Sequence, residues 1–165
     1  MLANPAPAPE LNTMQWLNTI APITLSALRG KVIVLGAFQA RCPACVSRAL
    51  PQMQRVQQAF SPDDVAVIGL HSVFERHSAM EPETLAIFLE QHGIDFPVGI
   101  DTPAKDDDIP MTMRAYQMQG TPTSILIDRI GRLRKQKLGT EQDMIFRTEI
   151  TILLEETHND ASQMH

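Results

Sequence analysis

Cysteine is almost missing from this chain of 165 residues: there are two, and both lie in Cys42-Pro43-Ala44-Cys45. Closing so short a loop would remove little entropy from the unfolded chain, so a structural staple is a poor use of the pair and a chemical role a better one. Two thiolates also fall short of the four ligands that a structural zinc site takes. Positive charge is in deficit, with 14 Lys and Arg against 19 Asp and Glu and a net charge of -5. That balance withholds the basic surface that nucleic acid or an anionic membrane selects for. No run approaches the roughly 18 to 20 apolar residues that span a bilayer. The first residues lack the basic-then-apolar pattern of a secretion signal. A soluble chain is expected, cytoplasmic as it stands, or periplasmic where a signal peptide was removed. Internal repeats are lacking too. What remains is an ordinary globular composition, 44% hydrophobic and 20% charged, at a length that suits one core.

Residues 1–13 read as a flexible Ala/Pro-rich leader, 14–157 as the domain and 158–165 as a frayed tail. Met14 to Asn18 predicts a short edge strand, and Thr24 to Leu28 a turn closing at Gly30. The run from Val32 to Phe38 is too continuous for a half-exposed strand and predicts one buried on both faces, beginning at Lys31. From Cys42 to Phe60, Val46, Ala49, Leu50, Met53, Val56 and Phe60 recur at helical spacing, leaving Arg48, Gln52, Gln54, Arg55 and Gln58 for water. Pro51 removes a backbone donor inside that helix and predicts a kink.

Val65 to Val73 predicts a second buried strand, followed by a polar loop, Glu75 to Glu81. Pro82 to His92 opens with proline and stops at Gly93, as a helix does. Phe96 to Ile100 predicts a strand, Asp101 to Pro110 an exposed acidic loop, and Met111 to Met118 a short helix. Thr123 to Ile127 and Arg132 to Leu138 predict an antiparallel pair joined by a turn at Asp128-Arg129-Ile130-Gly131. Glu141 to Glu155 predicts the last helix. This alternation places the chain among α/β sandwiches with a mixed sheet.

The two cysteines therefore sit where a buried strand becomes a helix. At such a junction unpaired N–H groups and the helix dipole favour a thiolate, the form that attacks a disulfide. Cys42 is placed as the nucleophile. Cys45, one turn further in, is placed to resolve a mixed disulfide by closing a ring with Cys42. The spacing leaves the direction of electron flow open, because dithiols of this kind work as reductants or oxidants according to their potential.

The order of elements, the CxxC at the first long helix, and Gly120-Thr121-Pro122 before a strand together resemble the thioredoxin superfamily. Within it, Leu28-Arg29-Gly30-Lys31 before the strand, the CPxC motif, the helix-strand insertion, and Gly-Thr-Pro-Thr ahead of Ile127-Asp128 and Gly131 resemble the TlpA-like redoxins, from about Trp16 to Leu154. The resemblance implies a thioredoxin-like three-layer α/β sandwich with a mixed central sheet. It also implies a thiol-disulfide oxidoreductase that acts on protein or small-molecule disulfides, works with a redox partner and needs no cofactor or metal. Oligomeric state is not fixed by it. By position, Pro122 is implied to be cis beside the dithiol, and the backbone of Thr121 to pair with a bound substrate strand.

Three departures from the family pattern stand out. Arg41 precedes Cys42 where many relatives have Trp; it either favours the thiolate or points into solvent. Gly36 stands six residues before Cys42, where thioredoxins keep a buried Asp as proton acceptor. Pro51 falls one position later than the helix proline of many relatives, which predicts a one-residue difference in the first turns.

His71, with Glu75 and His77 in the following loop, offers a proton relay; the plainer expectation is a strand-end histidine bonded to backbone and two solvated loop residues. Two other functions use the same fold. A copper chaperone would use Cys42, Cys45 and a histidine such as His71, but its cysteines are typically three residues apart, and the nine methionines here are dispersed. A peroxiredoxin would carry Pro-x-x-x-Thr-x-x-Cys, and the matching positions hold Leu35 and Gln39.

Overall fold

A computed structural model describes residues 1–74 and 80–163, with side chains through residue 156. The element order is β1 (Ala6–Pro7), β2 (Thr13–Leu17), a 3-10 turn (Ser26–Leu28), β3 (Val32–Phe38), a π-turn (Cys45–Ala49), α1 (Leu50–Ala59), β4 (Val65–His71), α2 (Pro82–Gln91), β5 (Val98–Asp101), α3 (Met111–Ala115), β6 (Thr123–Ile127), β7 (Arg132–Leu138) and α4 (Asp143–Gln163). Among the described residues seven strands form one mixed sheet in the order β1-β7-β6-β3-β4-β5-β2. β3 is central, parallel to β4 and antiparallel to β6. Every residue of β3 is buried, as its unbroken apolar run requires.

Alternate residues of β3 serve two separate cores. Val32, Val34 and Phe38 face α1, α2 and α4, meeting Leu50, Met53, Val56, Leu85, Leu89, Phe146 and Ile150. Ile33, Leu35 and Ala37 face the other way, toward Leu25, Met113 and Tyr116. Three layers result, the thioredoxin-like sandwich.

The register brings three chain segments to one end of the sheet. Phe38 pairs with His71, and Ala37 pairs with Thr123. The residues that follow β3 and β4, and those that precede β6, therefore converge.

Several local expectations change. The leader expected to be flexible contributes β1, in which Ala6 and Pro7 pair with Leu133 and Arg132. The Tyr116 hydroxyl donates to the Pro9 carbonyl at 2.6 Å. Gln52, expected to face water, is buried: its Nε2 donates to the Glu141 carbonyl at 2.6 Å and to Asp143 Oδ1 at 3.0 Å, tying α1 to the start of α4. Asp101, expected to open an exposed loop, ends β5 and is buried. Its carboxylate accepts from Ser72 Oγ and from the amides of Thr112 and Met113, so it caps α3 from a distance. α4 continues past the expected Glu155. Among the described residues no helix is long and apolar enough to cross a membrane.

Candidate active site

Cys42 caps the helix that it begins. The first helical bond runs from the Val46 amide to the Cys42 carbonyl at 3.1 Å. Pro43 then occupies the first helical position, where its missing N–H leaves nothing unpaired. The Cys45 amide donates to Cys42 Sγ at 3.4 Å, so the sulfur takes the place that a Ser or Asp oxygen takes in an ordinary N-cap. An amide aimed at the sulfur is the arrangement that steadies negative charge there.

Pro51 acts upstream of itself. Between Cys45 and Ala49 the chain makes a π-turn, in which the Leu50 amide donates to the Cys45 carbonyl. A π-turn holds one residue more than an α-turn. It thus absorbs the one-residue offset of Pro51, which sits in the first turn of α1 instead of kinking its middle.

Thr121 and Pro122 lie opposite the dithiol, and the bond between them is cis. Cys42 Sγ is 3.8 Å from the Thr121 carbonyl oxygen, and Cys42 is half-buried. Cys45 is 0% exposed. Burial pushes its thiol up to about 12, with a further upward contribution from Cys42; the Gln39 backbone and the Thr121 side chain pull the other way. The sulfurs are free thiols. One is open and one is covered, the asymmetry expected of an attacking and a resolving cysteine.

Gln39, which stands where a peroxiredoxin would have threonine, belongs to the site. It is 6% exposed, its carbonyl accepts from the Cys42 amide at 3.1 Å, and its Nε2 donates to Thr121 Oγ1 at 3.2 Å. The signal available in the sequence is a lone polar residue directly after a fully apolar strand. Leu35, at the peroxiredoxin proline position, is a core residue. Arg41 is exposed.

His71 takes the plainer of its two expected roles. Its Nε2 accepts from the Ala40 amide at 3.2 Å, which leaves the neutral ring protonated on Nδ1, and burial lowers the ring to about 4. It supports the turn between β3 and Cys42 and has no free Nε2 to offer a metal. Glu75 and His77 lie outside the described residues. Among those described, no group of three His, Cys, Asp or Glu side chains is arranged to hold a metal ion. A cavity of about 310 Å³ opens at this end of the sheet, lined by His71, Ile100, Asp101 and the 103–110 loop, and neither cysteine lines it.

The redoxin family model matches residues 3–150. Protein DipZ of Mycobacterium bovis is 32% identical over 160 residues, covering 93% of this chain and 21% of that protein. Thiol-disulfide oxidoreductase ResA of Halalkalibacterium halodurans is 32% identical over 123 residues, covering 73% of this chain and 62% of that protein. The chain therefore spans less than two thirds of the length of either relative. Among solved structures, a thioredoxin-like superfamily protein is 50% identical with a TM-score of 0.87, covering 90% of this chain and 96% of that one. A thiol-disulfide isomerase from Corynebacterium glutamicum is 42% identical with a TM-score of 0.85, at the same coverage. The strand-to-helix dithiol, the cis-proline loop facing it and these likenesses agree: the chain belongs to the redoxin family, among the TlpA-like members of the thioredoxin superfamily.

Proposed function

We propose that this protein is a thiol-disulfide oxidoreductase in which Cys42 attacks a substrate disulfide and Cys45 resolves the mixed disulfide. The observation that carries the reading is the asymmetry of the pair: a half-buried Cys42 whose sulfur is capped by the Cys45 amide, and a Cys45 wholly covered one turn away. In the first step the Cys42 thiolate bonds to one substrate sulfur and the other leaves with the electron pair. In the second, the Cys45 thiolate bonds to Cys42 Sγ and the substrate sulfur departs, so the dithiol is oxidised by two electrons and the disulfide reduced. The Thr121 backbone lies across from Cys42 and offers an edge to an extended substrate segment, while Pro122 has no N–H to compete for it.

Turnover of insulin disulfides by the reduced protein tests this. Cys42→Ser abolishes turnover and Cys45→Ser accumulates a covalent adduct visible by mass; turnover surviving in Cys42→Ser refutes the assignment. Equilibration with a glutathione buffer then fixes direction, since potentials run from about -270 mV for a reductant such as thioredoxin to about -120 mV for a strong oxidant.

A further inference from the structure

The resolving step needs Cys45 as a thiolate, in a place hostile to charge. Its sulfur is fully covered, and burial is the largest influence holding the thiol up. The glycine at position 36 leaves no carboxylate beneath it. That space is not open to water either, because a Cβ on Gly36 would meet the Met53 sulfur at 2.3 Å. Among the described residues no carboxylate acts on Cys45. The groups that pull the other way are the Gln39 backbone and the Thr121 side chain, and the Thr121 hydroxyl in turn accepts from the Gln39 carboxamide Nε2 at 3.2 Å. Gln39 Oε1 is buried without a hydrogen-bond partner. A buried acceptor left empty is costly, and next to a reacting group it calls for a use.

We propose that Gln39 is a positioning residue for the resolving step: its carboxamide sets the direction of the Thr121 hydroxyl, which donates to Cys45 as a thiolate and accepts from it as a thiol. This deepens the oxidoreductase reading and rests on it. In the arrangement present, Gln39 Nε2 donates to Thr121 Oγ1, so the hydroxyl hydrogen is free to point at the Cys45 sulfur. Half a turn about the last side-chain torsion of Gln39, a soft two-fold rotation, exchanges Nε2 for Oε1. The hydroxyl then donates to Oε1, and its oxygen accepts from the Cys45 S–H. One amide atom is unpaired in either state, which keeps the two close in energy. The pair responds to the charge on sulfur without carrying charge itself, as a dry site requires. Cys45 S⁻ bonds to Cys42 Sγ, the bond from Cys42 to the substrate sulfur breaks, and the departing thiolate takes up the proton that Cys45 gives up.

The reaction of the reduced protein with 5,5′-dithiobis(2-nitrobenzoate) separates the two steps, because the first thionitrobenzoate is released by Cys42 and the second by Cys45. In Gln39→Leu the ratio of second to first rate constant falls about tenfold at neutral pH while the first rate constant is unchanged. Thr121→Val does likewise, and Thr121→Ser restores the ratio. A role confined to packing would lower the melting temperature but leave that ratio in place, and that result in Gln39→Leu overturns the inference. So does a Thr121→Ser protein as slow in the second phase as Thr121→Val; this pair carries the test should Gln39→Leu fail to fold. Absence of any first-phase release from the unaltered protein would sink the oxidoreductase reading instead.

Discussion

The sulfur of Met53 lies 2.3 Å from the point where a Cβ on Gly36 would stand. One volume between β3 and α1 is thus shared by a glycine and a methionine, where thioredoxins use that strand position for an acid. Met is suited to such a gap because its thioether is flexible and polarizable.

Gly36→Asp is therefore expected to destabilise the protein by about 3 kcal/mol, combining overpacking with burial of a carboxyl group. Met53→Ala opens the space, and the double variant should be more stable than the sum of the single losses by about 1–2 kcal/mol, as for residues in contact. Urea unfolding of the four proteins checks this. Additivity of the two losses would mean that the side chains do not compete.

Reduced protein treated with iodoacetamide at pH 7–8 should take up one equivalent, all of it on Cys42. Cys45 is covered and its thiol is held near 12, so little thiolate is available there. Peptide mass mapping reads the outcome. Equal labelling of both cysteines would contradict the assigned roles.

His71 gives a pH dependence with a definite sign. Folding lowers its ring from 6.5 to about 4 through burial. Between those values the unfolded chain binds a proton that the folded chain does not, so stability is lost as pH falls through that window. The loss approaches about 3 kcal/mol at its acid end. His71→Gln removes the titration, and the difference between the two proteins cancels other groups. Unfolding free energies measured from pH 7 to pH 4 should diverge by that amount, and parallel curves would show that the ring is not held neutral.

Much of the site was legible because its chemistry is local in sequence. Cys42 and Cys45 are one helical turn apart, so their shared junction follows from the end of an apolar run and the start of helical spacing. The π-turn was partly legible, since Pro51 fell one residue late, but which bond would lengthen was decided by packing. Gly131 shows the opposite case. Its φ of +90° fits the expected turn, yet the Arg29 guanidinium also fills the space over it, 1.0 Å from where a Cβ would stand. Two motif segments read separately in the sequence are thus packed on each other. Asp101 and Gln52 are buried against the expectation from sequence for the same reason. Their partners are remote, Thr112 and Met113 for one and Glu141 and Asp143 for the other. A polar residue is buried when such partners reach it, and composition does not reveal that.

By itself the sequence determined which residues carry sulfur, where strand gives way to helix, and which faces are apolar. Those properties depend on neighbours along the chain and on the two periods of regular backbone. Tertiary structure alone decided that Cys42 is open and Cys45 closed, that Met53 fills the space above Gly36, and that Gln39 reaches Thr121. Each of these depends on a register between segments far apart in the chain, with Ala37 beside Thr123 and Phe38 beside His71. Burial and hydrogen-bond partnership are set by that pairing.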